Sequence, residues 1–335
     1  MKTIPIKRRK KMKVGFCTVN YSDWKLEDVV KMAASKGYEA VEIPSYTDNG
    51  QLDPDDVLKG ENAKKLKAMV ESNGLFISGI SNHADSMAML CEGKEVEHIC
   101  KGTPKEQHEF AANSLIRSAQ IANALEVPVV VGFTGIQNMG HFNVFPNARG
   151  WEEEEKNFIE RFMPVLERYQ EYGVKLAIEP HPNNIIYDLY SAKRAVELVD
   201  NHPCFGINMD PANLLYTGIS VEAFVDELKD RIFSVHAKDT QILKHNLSRG
   251  GYWQFQGDWA NLNRAFRFRI PGWGSVDWKS LITELYLAGY DGVFSYEHED
   301  VTMSRADGVD KTIDFLKPLM IHAPYEGRND KLFTR

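Results

Sequence analysis

The sequence predicts an α/β protein built as one (β/α)8 TIM barrel, and three observations carry that expectation. Short β-rich runs alternate with longer amphipathic stretches eight times along the chain. Glycine recurs where a helical stretch gives way to a strand, at Ser35–Lys36–Gly37, Ser72–Asn73–Gly74, Glu171–Tyr172–Gly173 and Leu287–Ala288–Gly289. Glycine just past a helix adopts the left-handed backbone that ends it without a Cβ penalty. The third observation is an absence. Asn20–Tyr21–Ser22–Asp23 follows the first strand, where a doubly wound dinucleotide-binding sheet would carry GxGxxG. Eight units without that loop favour a closed barrel over an open sheet.

The strands are expected over Lys13–Asn20 (KVGFCTVN), Ala40–Tyr46 (AVEIPSY), Phe76–His83 (FISGISNH) and Val127–Gly135 (VPVVVGFTG). They continue at Val174–Pro182 (VKLAIEPHP), Phe205–Pro211 (FGINMDP), Ile232–Asp239 (IFSVHAKD) and Gly292–Asp300 (GVFSYEHED). Helical patterns fill the gaps at Leu26–Lys36, Glu61–Asn73, Lys105–Leu125 and Glu152–Tyr172. Ser191–Asp200, Val221–Asp230, Trp278–Leu287 and Arg305–Leu319 complete the set. Within Ser191–Asp200, Ala192, Ala195, Val196 and Val199 recur at the spacing of one helical face.

The chain has 335 residues, whereas a barrel of this kind needs about 250. The surplus falls in the tails (1–12 and 321–335) and in loops. No Pro- or Ser-rich linker marks a second domain, so one domain is expected over 1–335 with its core over about 13–320. The largest insertion, Thr240–Gly274 after the seventh strand, holds Tyr252, Trp253, Phe255, Trp259, Phe266, Phe268 and Trp273. Such a loop serves as a substrate platform, a subunit interface or a packed cap.

Composition excludes some classes. A hydrophobic content of 43% and a charged content of 26% are those of a soluble globular protein. The net charge of −7 argues against a general nucleic-acid binder. Ile6–Val14 (IKRRKKMKV) is a local basic run, read as a solvated N-terminal extension rather than a nucleic-acid or membrane tail. No apolar run approaches the roughly 18 residues of a membrane span, and the N-terminus lacks a secretory pattern. Cys17, Cys91, Cys100 and Cys204 form no CxxC pair and read as free thiols, which fits a reducing cytoplasm.

The chemistry concentrates in the last four strands. Each apolar run there ends on a hard metal-ligand type: Glu179, Asp210, His236 and Glu297. In a barrel these emerge together at the mouth formed by the strand C-termini. Three carboxylates and one imidazole suit Mn²⁺, with Mg²⁺, Co²⁺ or Fe²⁺ as alternatives, better than structural zinc. Clustered without a cation, the acids would repel one another. The competing reading gives them salt bridges to Lys238, Arg269 or Arg305 at the rim.

The segments IEPHP, NMDPANL, VHAKD and SYEHED resemble the ligand motifs of the xylose-isomerase-like barrel superfamily. That group includes sugar isomerases and epimerases, inosose dehydratases and the endonuclease IV type of DNA-repair enzyme. The resemblance runs from Lys13 to Leu319 and implies a Glu179–Asp210–His236–Glu297 site holding one divalent cation. The DNA-repair branch needs further ligands that Pro211–Ala212–Asn213–Leu214 and the segment around Lys244–His245–Asn246 do not supply.

Around this site stand candidate acid–base and substrate-binding groups. His141 lies in the loop after strand four, where a neutral imidazole can take a proton from carbon. VGFTG followed by this histidine is similar to the catalytic subunits of C-glycoside deglycosidases. These are manganese-dependent barrels that cleave the carbon–carbon glycosidic bond of 3-oxo-glucosides. The resemblance implies His141 as the base, β-elimination as the reaction and a small β-sandwich partner subunit in a hetero-oligomer. A sugar epimerase or isomerase using the same enolate chemistry is the alternative. Lys238, two residues beyond His236 and facing the same way, either stabilises an oxyanion or balances charge. His181 is a substrate-hydroxyl ligand or a partner to a metal ligand. Glu299, His83 and Asn82 are further pocket candidates.

Overall fold

A computed structural model describes residues 11–137, 148–252, 257–258 and 261–323. His141, Trp253, Phe255, Trp259 and most of the basic run lie outside the described residues. The strands that close the barrel are β1 (Lys13–Cys17), β2 (Ala40–Pro44), β3 (Phe76–Asn82) and β4 (Val129–Gly132). Then come β5 (Lys175–Ile178), β6 (Phe205–Met209), β7 (Ile232–Ala237) and β10 (Val293–Tyr296). All are parallel to their neighbours, in the closed order β1-β10-β7-β6-β5-β4-β3-β2. Helices α1 (Leu26–Lys36), α2 (Pro54–Val57), α3 (Asn62–Ser72), α4 (His83–Ser86), α5 (Pro104–Ala124) and α6 (Ala148–Tyr172) accompany the first half. The second half has α7 (Leu189–Leu198), α8 (Pro211–Tyr216), α9 (Val221–Leu228), α10 (Lys244–Gly250), α11 (Trp278–Ala288) and α12 (Arg305–Leu316).

The expected punctuation is visible in the backbone. Gly37 and Gly289 end α1 and α11 in the left-handed region, at φ 90° and 97°, where a side chain would be strained. Helix α5 starts on a capping box: Thr103 accepts from the Glu106 N–H while the Glu106 carboxylate accepts from Thr103. Because helices cover the outer face of the sheet, strands such as β6 are buried along their whole length.

Two of the buried apolar clusters build the barrel itself. A large apolar layer packs between sheet and helices and includes Phe16, Leu115, Phe158, Phe162, Phe205 and Phe294. A small cluster of Val129, Val131 and Ala177 with Phe233 lies apart from it. Ala177 precedes Glu179 by two residues and shares its facing, so this cluster forms a floor beneath the strand-end mouth. Gly206 makes room for it, since a Cβ there would sit 2.4 Å from the Phe233 ring.

The region after β7 differs from the expected loop. Strands β8 (Asp239–Ile242) and β9 (Phe266–Arg269) pair antiparallel as a hairpin base. Asp239 organises it. Its Oδ1 accepts the N–H groups of Thr240, Ser275 and Val276 at 2.7–3.0 Å. Its Oδ2 accepts Gly272 and Gly274 N–H and the Trp278 indole at 2.8–3.2 Å. A Cβ on Gly274 would lie 2.1 Å from Oδ1, so only glycine allows that approach. Asp239→Ala is expected to lower stability by roughly 3 kcal/mol or more, because it strands buried N–H donors. Urea denaturation and loss of amide-exchange protection confined to residues 272–278 would check this.

Candidate metal centre

Four strand ends deliver the four expected side chains. Glu179 directly follows β5, Asp210 follows β6, His236 is the penultimate residue of β7, and Glu297 follows β10. One ligand-capable atom from each lies within 4.8 Å of all the others. Local structure aims them. Asp210 is the N-cap of α8 and uses Oδ1 to accept the Ala212 N–H at 2.8 Å, with Pro211 at the first helical position. That leaves Oδ2 for the centre. Glu179 is held by two side-chain amides, accepting from Asn208 Nδ2 at 2.9 Å and Asn213 Nδ2 at 2.7 Å.

The cluster is short of positive charge. Of the three rim cations weighed from sequence, only Lys238 reaches it; Arg269 pairs with Asp300 and Arg305 with Asp23. Lys238 Nζ lies 2.8 Å from Asp210 Oδ2, 2.8 Å from Glu297 Oε2 and 3.1 Å from Glu299 Oε2. Burial lowers the pKa of this lysine, but the carboxylates of Asp210, Glu297 and Glu299 outweigh it and hold the pKa well above the usual range. One lysine does not suffice for Asp210. Burial, aided by Glu179 and Glu297 and opposed by Lys238, pushes its carboxyl up to about 7. Burial also raises Glu179 and Glu297, yet His236 and Lys238 more than offset that and hold both low.

Orphaned atoms point the same way. Asp210 Oδ2, His236 Nδ1 and Glu299 Oε2 are buried without a directed hydrogen bond. The first and third are near Lys238, and His236 Nδ1 is 3.0 Å from Glu179 Oε2. These are charge contacts that fall outside hydrogen-bond geometry. A hard divalent cation fits this donor set, and Glu179, Asp210, His236 and Glu297 are the residues that would hold it.

Above the cluster opens a cavity of about 690 Å³, within the range of roughly 300–1,000 Å³ typical of ligand clefts. His83, His181, Lys238 and Glu299 all line it. His83 Nε2 is 3.2 Å from Glu179 Oε2, and its ring meets Phe133 edge-on. His181 bonds to Asn183, and burial pushes its pKa down, favouring the neutral ring. Burial raises the Glu299 carboxyl, with Lys238 opposing. Asn82 departs from expectation: its amide donates to Ser114 and Ser118 of α5, turning it away from the cavity. The loop that leads to His141 is anchored at its start. Asn184 Oδ1 accepts from the Thr134 and Gly135 N–H groups, and Ile185 N–H donates to the Gly135 carbonyl.

The aromatic insertion divides. Phe266 stacks on Tyr216 at 3.9 Å and both Phe266 and Phe268 are buried, so they serve packing rather than a substrate platform. Phe268 nevertheless reaches the site, with Lys238 Nζ 4.9 Å from its ring centre. Tyr252 and Trp273 are exposed. Asn208, Asn213 and Glu42, a carboxylate beside His236, are site residues that sequence reading missed. The signal for Glu42 was an acid inside an apolar strand, AVEIP.

Residues 30–319 match the family model described as the xylose isomerase-like TIM barrel. The chain belongs to that family. It is similar to the uncharacterized protein YfiH of Bacillus subtilis, 24% identical over 91% of this chain and 98% of that one. Among solved structures it resembles AsbF of Bacillus anthracis, a probable 3-DHS dehydratase (18% identity, TM-score 0.66, covering 91% of this chain and 99% of that one). It also resembles the 3-keto-D-glucoside 4-epimerase YcjR of E. coli (15% identity, TM-score 0.66, covering 92% and 100%). Among the described residues, no helix is long and apolar enough to cross a membrane.

The donor set makes metal content measurable. Protein purified without chelator is expected to carry close to one divalent ion per chain by elemental analysis. Asp210→Asn keeps the α8 cap, since asparagine caps as well as aspartate, but removes a charged ligand. It is expected to lose the ion while retaining its helical circular dichroism; full metal content in this variant would rule Asp210 out as a ligand.

Proposed function

We propose that this chain is a divalent-cation-dependent lyase acting on 3-oxo-glucosides, C-glycosides included, of the C-glycoside deglycosidase type. The observation that carries the reading is a buried, charge-deficient carboxylate cluster at the base of a cavity whose other walls include Val19, Met87, Val96, Ile99 and Phe133. Polar groups at depth suit an oxidised sugar, and the apolar wall suits an aglycone. Two similar structures support chemistry next to a carbonyl. One is named for epimerising a 3-keto-glucoside at the adjacent carbon, the other as a probable dehydratase.

When bound, the cation would supply Lewis acidity that makes the C–H beside a ketone labile. His141 is the base that takes the C2 proton of the 3-oxo sugar. The C2–H electron pair becomes the C1=C2 double bond as the bond from C1 to the aglycone breaks. That bond's electrons leave with the aglycone, which takes up a proton. Lys238, kept protonated by its carboxylates, balances negative charge growing on the sugar oxygen. His83, His181 and Glu299 bind sugar hydroxyls. A small β-sandwich subunit would complete a hetero-oligomer in the cytoplasm, a reading that rests on sequence resemblance.

The epimerase reading has the 3-keto-D-glucoside 4-epimerase in its favour. It too takes a proton from a carbon beside the ketone, at C4 rather than C2, and returns one to the opposite face. Product analysis separates the two: released aglycone marks elimination, whereas an isomeric glycoside with its aglycone intact marks epimerisation.

Both readings require a ketone. The 3-oxo form of a glucoside is expected to turn over, and its unoxidised parent to remain unchanged under the same conditions, as read by chromatography. Equal rates on both would refute abstraction beside a carbonyl. Replacing His141 by Gln is expected to cut turnover roughly 10²-fold or more while leaving metal content unchanged. Near-normal turnover in that variant would remove His141 from the mechanism.

A further inference from the structure

His236 has two ring nitrogens, and only one faces the cavity cluster. Nδ1 lies 3.0 Å from Glu179 Oε2 and 3.5 Å from Glu297 Oε2. Nε2 points the other way, to Glu42 Oε1 at 3.1 Å. Glu42 belongs to β2, three strands round the barrel from β7, and only 2% of its surface is exposed. It is the one acid of an otherwise apolar strand.

The fold makes a place for this carboxylate. The β2–β3 register shifts between Val41 and Glu42, bringing Gly79 opposite Glu42. A Cβ on Gly79 would already touch the Glu42 side chain at 3.4 Å. An ionised carboxylate only accepts hydrogen bonds, so the nitrogen facing it carries the proton. In a neutral imidazole the other nitrogen then holds the lone pair.

We infer that Glu42 is a positioning residue for the metal centre: it orients the His236 ring and fixes the tautomer that presents Nδ1 as the metal-facing donor. The inference rests on the metal reading of the cluster and goes beyond it, because Glu42 does not line the cavity and lies outside the four residues that would hold the cation. Cys17, the β1 register partner of Glu42, also lies near His236. A thiol is a weak acceptor and does not replace the carboxylate.

The test is a titration of chelator-stripped full-length protein with Mn²⁺ alone, with no substrate present. Glu42→Leu is expected to raise the Mn²⁺ Kd by roughly 10- to 100-fold, as loss of an outer partner of a ligating histidine typically does. Glu42→Gln keeps an acceptor oxygen and is expected to stay within about fivefold of wild type. Cys17→Ala is expected to bind as wild type does. Unchanged affinity in Glu42→Leu, or equal weakening by Leu and Gln, overturns the inference while leaving the metal site standing. Failure of the wild type to bind Mn²⁺, Co²⁺ or Zn²⁺ overturns the metal reading and this inference with it. Should Glu42→Leu not fold, nitrogen-15 spectra of the Zn²⁺-loaded wild type decide. A protonated Nε2 and a metal-bound Nδ1 on His236 support the inference, and the reverse pattern overturns it.

Discussion

Everything at the mouth of this barrel answers to one constraint: too many carboxylates are buried too close together. Glu179, Asp210, Glu297 and Glu299 converge on Lys238 and His236, with His83 beside Glu179 and Glu42 behind the His236 ring. Removing such charges from water costs several kcal/mol per ion unless each finds a partner. The surroundings are arranged to limit that cost. Asn208 and Asn213 donate to Glu179, the α8 N-terminus takes half of Asp210, and Lys238 is shared among three acids. What remains is a deficit of positive charge, located where the orphaned lone pairs are.

The same constraint explains why the site sits above a dry floor. Val129, Val131, Ala177 and Phe233 pack together beneath the carboxylate cluster. They keep water from one side, so electrostatic interactions there act at a lower effective dielectric than at the surface. The other side opens into the cavity, where His83, His181 and Glu299 meet solvent and any ligand. The cluster is therefore closed by apolar packing below and open to the cavity above.

Much of this was legible in the chain, for identifiable reasons. Parallel strands buried on both faces read as apolar runs, and a carboxylate or imidazole at the end of such a run stands out, so the sequence pointed to Glu179, Asp210, His236 and Glu297, which the fold brings together. Gly37 and Gly289 marked helix ends because only a residue without Cβ suits that backbone. Glu42 was not found, because its partner His236 is 194 residues away and only barrel closure joins them. Asn82 was misplaced because a strand's last residue can turn to either face, and α5 offered two serine acceptors. The hairpin of β8 and β9 was hidden because its strands are only four residues each. Phe266 and Phe268 look the same in sequence whether they meet a substrate or Tyr216.

Asp239 has a consequence for how this barrel can change over time. It follows Lys238 directly, yet its carboxylate is fully occupied tying the chain at Gly272–Trp278 back onto the end of β7. The stretch between Ile242 and Phe266 thus leaves and re-enters the body through one clamped base, like a handle bolted at both feet. Length and composition can drift within it without tugging on the lysine next door. Selection is then free to remodel what the handle touches while the chemistry underneath stays put, and the same base is the natural seam for exchanging that segment between related barrels.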